Sequence, residues 1–411
     1  MKKSSLKAKV AFIGASLAFI LPMAGCSSDE PASEGSTTIA VPTIELTAPA
    51  SRAAVAVQDF NIDFFRNVAI SDNYKGKNVS CSPMSATMLL SLLSNAASDE
   101  TADEIAAVLG YSDSNDLNDL YALLATQLPS LDQKVKLSIA NSVWYHQEFT
   151  LTKDFGDIAK GYYKADIFKC DLSGTTIGVR DEINSWVNDN TNGLIKNIDV
   201  LLPALSTLIN AAYFKAEWKD SFKTEDTKKA TFKGVDGDSQ IDMMHREGCY
   251  LYERTEDYEA IEMPFGVGAF NVAFIMPTTN LEAFIKSDAL YGLWSNNPKA
   301  CNIDLSLPKF KIAEDTELNL IDILRDMGVK SLTTPGMMKF FNESPDADFV
   351  NVSQKTSVEF SEQGVESASA TWTNWEISTG FMPVSFDRPF IFLITEKSTK
   401  SMLFAGKIMS L

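Results

Sequence analysis

Histidine is scarce in this chain, and its scarcity narrows the chemistry that the protein can perform. The 411 residues include 2 histidines, His146 and His245. A Ser-His-Asp or Cys-His hydrolase requires a histidine as its base, but neither histidine lies near a nucleophile motif such as G-x-S-x-G. We interpret both as structural or exposed residues and expect no enzyme activity. A catalytic carboxylate pair stays open as an alternative, because one sequence does not reveal it.

Paired cysteine motifs are absent as well. Apart from Cys26, the cysteines are Cys81, Cys170, Cys249 and Cys301, which lie far apart without a C-x-x-C or H-x-x-x-H pattern. This spacing gives no metal site, and the sequence indicates no cofactor. We predict four buried free thiols, and a disulfide among them stays open.

Positive charge is in deficit. The chain has 36 Lys and Arg against 54 Asp and Glu, a net charge of −18. A strongly acidic protein does not attract polyanions, which argues against nucleic acid partners and against polyanion activators such as heparin. The hydrophobic share of 45% and the charged share of 22% are ordinary for a soluble globular protein.

One long segment near the C-terminus lacks both proline and basic residues. No proline occurs between Pro345 and Pro383, and no Lys or Arg between Lys355 and Arg388. Surface loops usually carry turn-forming residues, whereas a strand inside a sheet excludes proline and unpaired charge on its buried face. With a period of two, one face holds Val365, Ser367, Ser369, Thr371 and Thr373, and the other holds Glu366, Ala368, Ala370, Trp372 and Asn374. The segment therefore predicts a strand that is able to enter a sheet.

Several short motifs follow one another in a fixed order. They are Asn78-Val-Ser-Cys-Ser-Pro-Met-Ser85, Asn210-Ala-Ala-Tyr-Phe-Lys-Ala-Glu-Trp218, Ala260-Ile-Glu-Met-Pro-Phe265, Phe274-Ile-Met-Pro277, Leu307-Pro-Lys-Phe310, Phe386-Asp-Arg-Pro-Phe390 and Leu403-Phe-Ala-Gly-Lys-Ile408. Together with Glu362, Gly364 and the small residues that follow, they resemble the serpins, the family of serine protease inhibitors, over roughly residues 55 to 411.

The resemblance implies an α+β fold. N-terminal helices would pack on a large mixed or antiparallel main sheet, with smaller sheets and an exposed reactive loop near the C-terminus. A protease that attacks this loop would form an acyl-enzyme, and the N-terminal part of the loop would then insert into the main sheet and carry the protease along. Addition of a strand to a sheet is a general mode of peptide recognition, and loop insertion is a general mode of conformational switching.

The resemblance also assigns roles to individual residues. The hinge would comprise Glu362, Gly364, Val365, Glu366, Ser367, Ala368, Ser369, Ala370 and Thr371. Polar residues under the centre of the main sheet, which hold it closed, would be Ser82, Ser85, Asn210 and Gln354, the last standing where the family usually has histidine. Trp218 would lie where insertion starts.

The reactive bond follows by counting from Gly364 and from Pro389. Without a gap in the loop, it falls at Ser378–Thr379, with Ile377–Ser378 as the neighbouring option. The missing basic residue excludes trypsin-like targets. Small and β-branched residues suit elastase-like or subtilisin-like endopeptidases, or papain-like cysteine proteases that read Ile377, whether from a host or from a competing bacterium.

An inhibitor is favoured over its alternative because of the hinge. Non-inhibitory family members usually carry charged, bulky or proline-containing hinges, whereas the inserting face of this hinge, Val365 to Thr373, has no charge and no proline. The alternative is a non-inhibitory serpin that acts as a surface binding or carrier protein. In either case we expect a monomer.

The N-terminal sequence predicts a lipoprotein signal peptide at residues 1–25, separate from the folded domain. Four lysines precede an apolar stretch, Val10–Leu21, which is too short to span a bilayer. A small-residue pair before Cys26 resembles the bacterial lipobox, and acyl chains such as palmitate on Cys26 would anchor the protein. An ordinary signal peptide with an unrelated cysteine stays open as the alternative.

Residues 26–50 are predicted to be the lipidated cysteine and a disordered tether, and residues 51–411 the folded serpin domain. Ser27-Ser-Asp-Glu30 resembles surface-export signals of Bacteroidetes lipoproteins. We expect a lipid anchor in the outer membrane of a Gram-negative bacterium, with the periplasmic or surface orientation left open.

The pattern of helices and strands points to the same fold class. Helices are predicted over residues 57–68, 83–96, 101–110, 117–127, 153–163, 179–190 and 318–327, and a strand over residues 135–145. From Leu205 onward strands dominate.

Overall fold

The computed structural model describes residues 40–174, 178–200, 202–293, 298–312, 317–343, 350–364 and 380–411. The helices in these ranges are α1 Ala48–Ala56, α2 Gln58–Ile70, α3 Pro83–Ser94, α4 Asp99–Leu109, α5 Ser114–Gln127, α6 Lys153–Gly161, α7 Gly178–Asn190, α8 Leu281–Lys286 and α9 Leu320–Met327.

The same ranges contain the following strands. They are β1 Val79–Cys81, β2 Val135–His146, β3 Asp166–Cys170, β4 Ser206–Ala216, β5 Lys228–Gly234, β6 Gly237–Arg254, β7 Tyr258–Phe265, β8 Phe270–Pro277, β9 Lys299–Pro308, β10 Phe310–Ile312, β11 Glu317–Asn319, β12 Val350–Lys355, β13 Val358–Phe360, β14 Met382–Ser385, β15 Phe390–Glu396 and β16 Met402–Ile408.

Two large sheets carry the fold. One has nine strands in the order β1-β16-β15-β8-β7-β6-β9-β14, with β5 joined to β6, and the other has five strands in the order β11-β12-β4-β2-β3. The five-stranded sheet is mixed, because β12 runs parallel to β4 while β2 runs antiparallel to it. The predicted α+β class, with helices, a large mixed sheet and smaller sheets, is confirmed.

Helix α3 is buried along its whole length because of its composition. It contains no charged residue, and Pro83 occupies its first turn, where a missing N–H costs nothing. Ser82 is the N-cap, and its hydroxyl accepts from the backbone N–H of Ser85 at 3.3 Å. The start of α3 thus lies in the main core, under the five-stranded sheet.

Strand β4 is covered on both faces. Leu208, Ala212 and Phe214 belong to the main hydrophobic core, while Ile209 and Ala211 belong to a second cluster with Trp144 of β2 and with Val179, Ile183, Trp186 and Val187 of α7. Alternate residues of a strand point to opposite faces, so α7 covers the outer face of this sheet.

Several predicted boundaries differ from the structure, and three of the differences have a clear physical reason. The helix predicted over residues 101–110 begins earlier, since α4 starts at Asp99 after the N-cap Ser98. The Glu104 carboxylate of this helix accepts from the backbone N–H groups of Lys330 and Ser331, a tertiary contact that the helical pattern does not reveal. The helix predicted from residue 318 starts at Leu320, because residues 317–319 pair with β12 as strand β11.

The third difference concerns the predicted tether, residues 26–50. Helix α1 begins at Ala48, and Ile44 is 4% exposed with its backbone N–H donated to Ser398 Oγ at 2.9 Å. A buried apolar side chain and a hydrogen bond hold this part on the fold, so the folded region begins before residue 51. Residues 1–39, with the predicted signal peptide and Cys26, lie outside the described residues. No helix of the described ranges is long and apolar enough to cross a membrane.

Candidate functional site

The site is built around the edge of β4 that faces β12. Residues Ser206 to Ala211 pair with Val350 to Lys355 in six parallel steps. Beyond Ala211 the β12 chain turns away to form β13, which pairs with β10. Within the described ranges, no strand pairs with residues 212–216 of β4 on this edge. We call the paired part the closed half of β4 and residues 212–216 its open half.

The closed half is held from below by a side-chain clasp. Gln354 Oε1 accepts from Ser82 N at 2.8 Å, and Gln354 Nε2 donates to Ser82 O at 2.9 Å. The Ser82 hydroxyl donates to Leu403 O at 2.6 Å and lies 2.8 Å from Ser85 Oγ. All three side chains are buried. The amide of Gln354 therefore ties β12 to the start of α3 and, through Leu403, to β16.

Asn210 lies apart from this clasp. Its Cα is the register partner of Gln354, but its Nδ2 donates to Asn141 Oδ1 of β2 at 2.9 Å, and Asn141 donates in turn to Tyr163 O. Asn210 Oδ1 is buried and has no hydrogen-bond partner among the described residues. The single network expected of four residues is thus two networks, and one leaves a buried acceptor unsatisfied, which normally costs free energy.

Trp218 closes the top of the open half. Its indole Nε1 donates to Ser361 O at 2.9 Å and its backbone N to Gln363 O at 3.0 Å. The ring is 2% exposed and stacks on Phe265 at 4.7 Å between centroids and on Phe360 at 5.9 Å. The indole binds the chain that leaves β13 to the end of β4.

Gly364 is the last residue of the described range 350–364 and lies in a tight turn. Ser361 N donates to Gly364 O, and Gly364 N donates back to Ser361 O. Gly364 has a φ of +113°, which L side chains rarely adopt, and an added Cβ would lie 2.6 Å from Trp218 N and closer still to Ala216 O. Only glycine fits here without a shift. Gly364 also forms an antiparallel bridge with Glu217, directly above the open half.

Glu362 fixes the same turn with its carboxylate. Oε2 lies 3.0 Å from Lys309 Nζ, and Oε1 accepts from Thr227 Oγ1 at 3.1 Å. Partial burial disfavours the charged form, but hydrogen bonds from its own backbone, from Lys309 and from Thr227 outweigh burial and hold the pKa of Glu362 below its usual value. The turn is therefore anchored by an ionised side chain.

Comparison with known proteins identifies this arrangement. The model of the family described as serpin (serine protease inhibitor) matches residues 55–411. This chain belongs to the serpin family. Members of the family are typically protease inhibitors, and some are non-inhibitory.

Similar serpins cover most of the chain. A serine protease inhibitor of Cyanea capillata is 30% identical and matches 87% of this chain and 98% of that protein. Iris of Ixodes ricinus is also 30% identical, over 86% of this chain and 98% of that protein. Among solved structures, the thermophilic serpin tengpin in its native state has a TM-score of 0.79 and 28% identity, covering 91% of this chain and 96% of that one. Human thyroxine-binding globulin, at 24% identity and a TM-score of 0.79, shares the fold.

The structure describes two of the predicted hinge and reactive residues and leaves out the others. Glu362 and Gly364 are described and lie at the open half. The others, Val365, Glu366, Ser367, Ala368, Ser369, Ala370, Thr371, Ile377, Ser378 and Thr379, lie outside the described residues.

Sequence reasoning missed two partners in this serpin. Lys309 stands in the motif Leu307-Pro-Lys-Phe310, but nothing local connects it with Glu362, 53 positions later. Asn141 faces Asn210 directly across β2 and β4, and cross-strand position was the signal that could have revealed it.

The histidines and the four described cysteines lie apart from the site around β4. His146 Nε2 lies 3.5 Å from Asp171 and His245 Nε2 lies 3.3 Å from Asp304, and no cluster in the described ranges could hold a metal ion. The prediction of four buried thiols is wrong for Cys249, which is exposed, while Cys81 is buried and Cys170 and Cys301 are intermediate. All four are free.

Proposed function

We propose that this serpin is a suicide-substrate inhibitor, which traps an elastase-like or subtilisin-like serine endopeptidase by inserting its reactive segment between β4 and β12. The observation that carries this proposal is the antiparallel bridge between Gly364 and Glu217. Because of this bridge, the chain that leads into the reactive segment lies next to the open half of β4. It runs antiparallel to β4 there, as an added strand would.

The bridge also predicts a register for the inserted strand. Each residue after Gly364 would pair with one residue before Glu217, as in any antiparallel ladder. Val365 would then face Ala216, and Thr371 would face Asn210. By the period of two, Val365, Ser367, Ser369, Thr371 and Thr373 would share the core face of β4 with Ala216, Phe214, Ala212, Asn210 and Leu208, all buried.

Both faces suit this register. The face toward the core is uncharged, so its burial leaves no unpaired charge. The Thr371 hydroxyl would lie opposite Asn210 Oδ1, the buried acceptor that lacks a donor among the described residues. On the other face, Ala370 and Trp372 would lie beside Ala211 and Ile209 under α7. Insertion would therefore satisfy a polar atom that has no partner among the described residues of the native state.

The chemistry that insertion interrupts is acyl transfer. The protease serine oxygen attacks the carbonyl carbon of Ser378, the Ser378–Thr379 amide bond breaks, and the new amine at Thr379 leaves with a proton. An ester joins the protease to Ser378. Hydrolysis of this ester requires the protease's oxyanion hole. Because insertion would pull the protease along and distort its oxyanion hole, the ester would persist.

A denaturing gel with mass spectrometry tests the proposal. Incubation with a panel of elastase-like, subtilisin-like and papain-like proteases should give an SDS-stable adduct, with release of a C-terminal peptide that begins at Thr379. Trypsin should give none, because the loop offers no basic residue. Cleaved loop without any adduct would contradict trapping and favour the alternative, a non-inhibitory binding or carrier serpin.

Substitutions that change only the residue recognised by the protease test the position of the reactive bond. Ser378→Arg should create a trypsin inhibitor without touching the hinge. The matched controls Trp375→Arg and Phe381→Arg put the same charge at the wrong distance from Gly364 and should give cleavage or no reaction. Equal trypsin inhibition by all three variants would refute the assignment of the reactive bond.

We propose further that Cys26 carries a lipid anchor and that the protein is an outer-membrane lipoprotein of a Gram-negative bacterium of the Bacteroidetes type. Support comes from the sequence of residues 1–30. Acyl labelling and membrane fractionation test it: Cys26→Ser should abolish labelling and release a soluble or unprocessed chain. Full membrane retention of a processed Cys26→Ser protein would refute the anchor.

A further inference from the structure

The segment before α1 lies across one end of the nine-stranded sheet, and we call its residues 40–47 the strap. Ile44 of the strap is 4% exposed, and its backbone N–H donates to Ser398 Oγ at 2.9 Å. Ser398 lies in the turn between β15 and β16. Glu396 in this turn is fully buried and accepts from Ser398 N at 2.7 Å and from Ser398 Oγ at 2.6 Å. The strap is therefore fixed to this turn by a hydrogen bond and by a buried apolar side chain.

The strap begins beside the top of β4. A Cβ on Gly268, in the turn between β7 and β8, would lie 3.7 Å from Val41 Cγ2 of the strap. In the same turn Gly266 N donates to Glu217 O at 2.8 Å, and Glu217 forms the bridge with Gly364. Neighbouring strands lie about 5 Å apart, so these few steps put Val41 within roughly 20 Å of Gly364. The chain thus enters the fold next to the start of the reactive segment.

The chain that follows the reactive segment is held at the same end of the molecule. Val384 of β14 pairs with Leu305 of β9, and Leu305 pairs with Arg246 of β6. The guanidinium of Arg246 lies 3.3 Å from the carboxylate of Asp220, two residues after Trp218. Both ends of the reactive segment are therefore attached where the strap lies, and we call this the reactive end of the molecule.

The far end of the molecule lies at the other end of β4. This strand runs from Ser206 at the far end to Ala216 at the reactive end. In the proposed register, the inserted segment would run along β4 toward Ser206 and beyond it. An extended strand from Gly364 to Ser378 is about 45 Å long. Insertion would therefore carry Ser378, with the protease bound to it, from the reactive end to the far end.

The length of chain between the proposed lipid and the strap limits how the molecule can stand on a membrane. Residues 26–39 join Cys26 to the strap, and even a fully extended chain of this length spans at most about 50 Å. A folded region of about 360 residues has a radius of gyration of roughly 21 Å, and thus a diameter of about 50 Å. The strap therefore stays within about one molecular diameter of the membrane, whereas the far end can lie about twice as far away.

We infer that the lipid anchor holds this serpin by its reactive end, so that it captures proteases next to the membrane and carries them away from the membrane on insertion. This inference rests on the proposed inhibition and on the proposed anchor at Cys26. It adds a determinant of specificity that the reactive bond does not contain, the position of the protease. The preferred partner is an endopeptidase attached to the same membrane surface, because confinement to one surface raises the effective concentration of two proteins.

A protease that is free in solution should react more slowly. An enzyme of about 250 residues has a radius of gyration of roughly 18 Å and a diameter of about 45 Å. It is therefore nearly as wide as the gap that residues 26–39 can open between the membrane and the strap. Such an enzyme reaches the reactive segment only when the molecule tilts or when residues 26–39 are almost fully extended.

Attachment of the protein to vesicles at either end tests the inference. The chain from Cys26 to Leu411, with Cys249→Ser to remove an exposed thiol, is coupled through Cys26 to phosphatidylcholine vesicles that contain a maleimide lipid. The matched control is Cys26→Ser/Glu148→Cys/Cys249→Ser, coupled at position 148 through a polyether spacer with the same reach of about 50 Å. Glu148 is exposed and follows β2 at the far end of the sheet.

The measured quantity is the rate of attack on the reactive bond, counted as adduct plus cleaved chain. For an elastase-like or subtilisin-like protease in solution, coupling through Cys26 should lower this rate at least about fivefold relative to coupling at the far end, because association requires free access of two specific surfaces. For the same protease coupled to the same vesicles, the chain held through Cys26 should react faster. Detergent dissolves the vesicles and should make the two rates equal.

The outcomes separate this inference from the two proposals on which it rests. Equal rates for the two couplings, both in solution and on vesicles, would overturn the inference and leave trapping and the anchor intact. Absence of an adduct from the uncoupled chain would overturn trapping. Absence of an acyl label on Cys26 in the native protein would overturn the anchor and, with it, the orientation at the membrane.

Discussion

The two halves of β4 are held by different kinds of contact. The closed half is paired along its edge with β12, and the Gln354 clasp to Ser82 secures that pairing from the core. The open half has no such strand partner among the described residues, and contacts at its upper end close it: Trp218 with Ser361, and Gly364 with Glu217. Under the proposed mechanism, a new strand would start at the open half and would have to break the pairing of the closed half to advance.

The largest effect is expected where the added strand would first meet the open half. In the proposed register, Val365 faces Ala216 on the core side of β4. Val365→Arg would bury a guanidinium without a partner, at a cost of several kcal/mol. Because about 1.4 kcal/mol corresponds to a factor of ten, the variant should be cleaved roughly 100 times or more for each protease trapped. Titration of a protease with the variant measures this ratio.

The neighbouring position supplies the control for that prediction. In the proposed register, Glu366 would lie on the opposite face beside Lys215, and Glu366→Gln would remove an ion pair worth about 1 kcal/mol or less. It should trap nearly as well as the wild type. Equal trapping by Val365→Arg and Glu366→Gln would show that the assignment of the two faces is wrong.

A smaller effect is expected at the clasp of the closed half. Gln354→Met keeps the side-chain volume but leaves Ser82 N and Ser82 O without their partners, at about 1–3 kcal/mol for each buried group. The native form should unfold several degrees lower and convert faster to an inserted form. Thermal midpoints before and after a nick at the loop measure this, with Gln354→Asn as a shorter amide control. An equal drop in the thermal midpoint of the intact and the nicked protein would show that the clasp does not stabilise the native form selectively.

The smallest effect is expected at Glu362, at the top of the open half. Its folded-state pKa is lowered, so its contribution is present above the ordinary Glu value of 4.5 and is lost as the pH falls through the lower folded value. Lys309 is 42% exposed at its side chain, and solvent screening limits the contribution to about 1 kcal/mol or less. Between about pH 6 and about pH 3, the wild type should lose slightly more stability than Glu362→Gln. Parallel pH profiles would contradict this role for the carboxylate.

The sequence predicts those features of the site that depend on local chemistry. Ser82 and Pro83 predict a helix start because a cap and a first-turn proline act within four residues. The family resemblance predicts Gly364 in the hinge, and its positive φ and the approach of an added Cβ to Trp218 N explain why glycine is needed at this position. The alternation of residues 365–374 predicts an uncharged face without any tertiary information.

Features that depend on distant partners could not be predicted in this way. Gln354 binds the backbone of Ser82, 272 positions away, and not its register partner Asn210. Cys249 is exposed because the register of β6 turns it outward, which its apolar neighbours Tyr250 and Leu251 do not reveal. The start of α9 depends on whether residues 317–319 find β12, which a helical pattern alone does not contain.

Hydrogen–deuterium exchange of β4 before and after cleavage at the loop tests the central claim most directly. Insertion would add roughly ten backbone hydrogen bonds at about 1 kcal/mol each. Those amides of residues 212–216 that point away from β2 should therefore exchange much more slowly in the cleaved chain, while residues 206–211 should be protected in both forms. Unchanged exchange over residues 212–216 after a complete cleavage would contradict insertion into the open half and the trapping mechanism built on it.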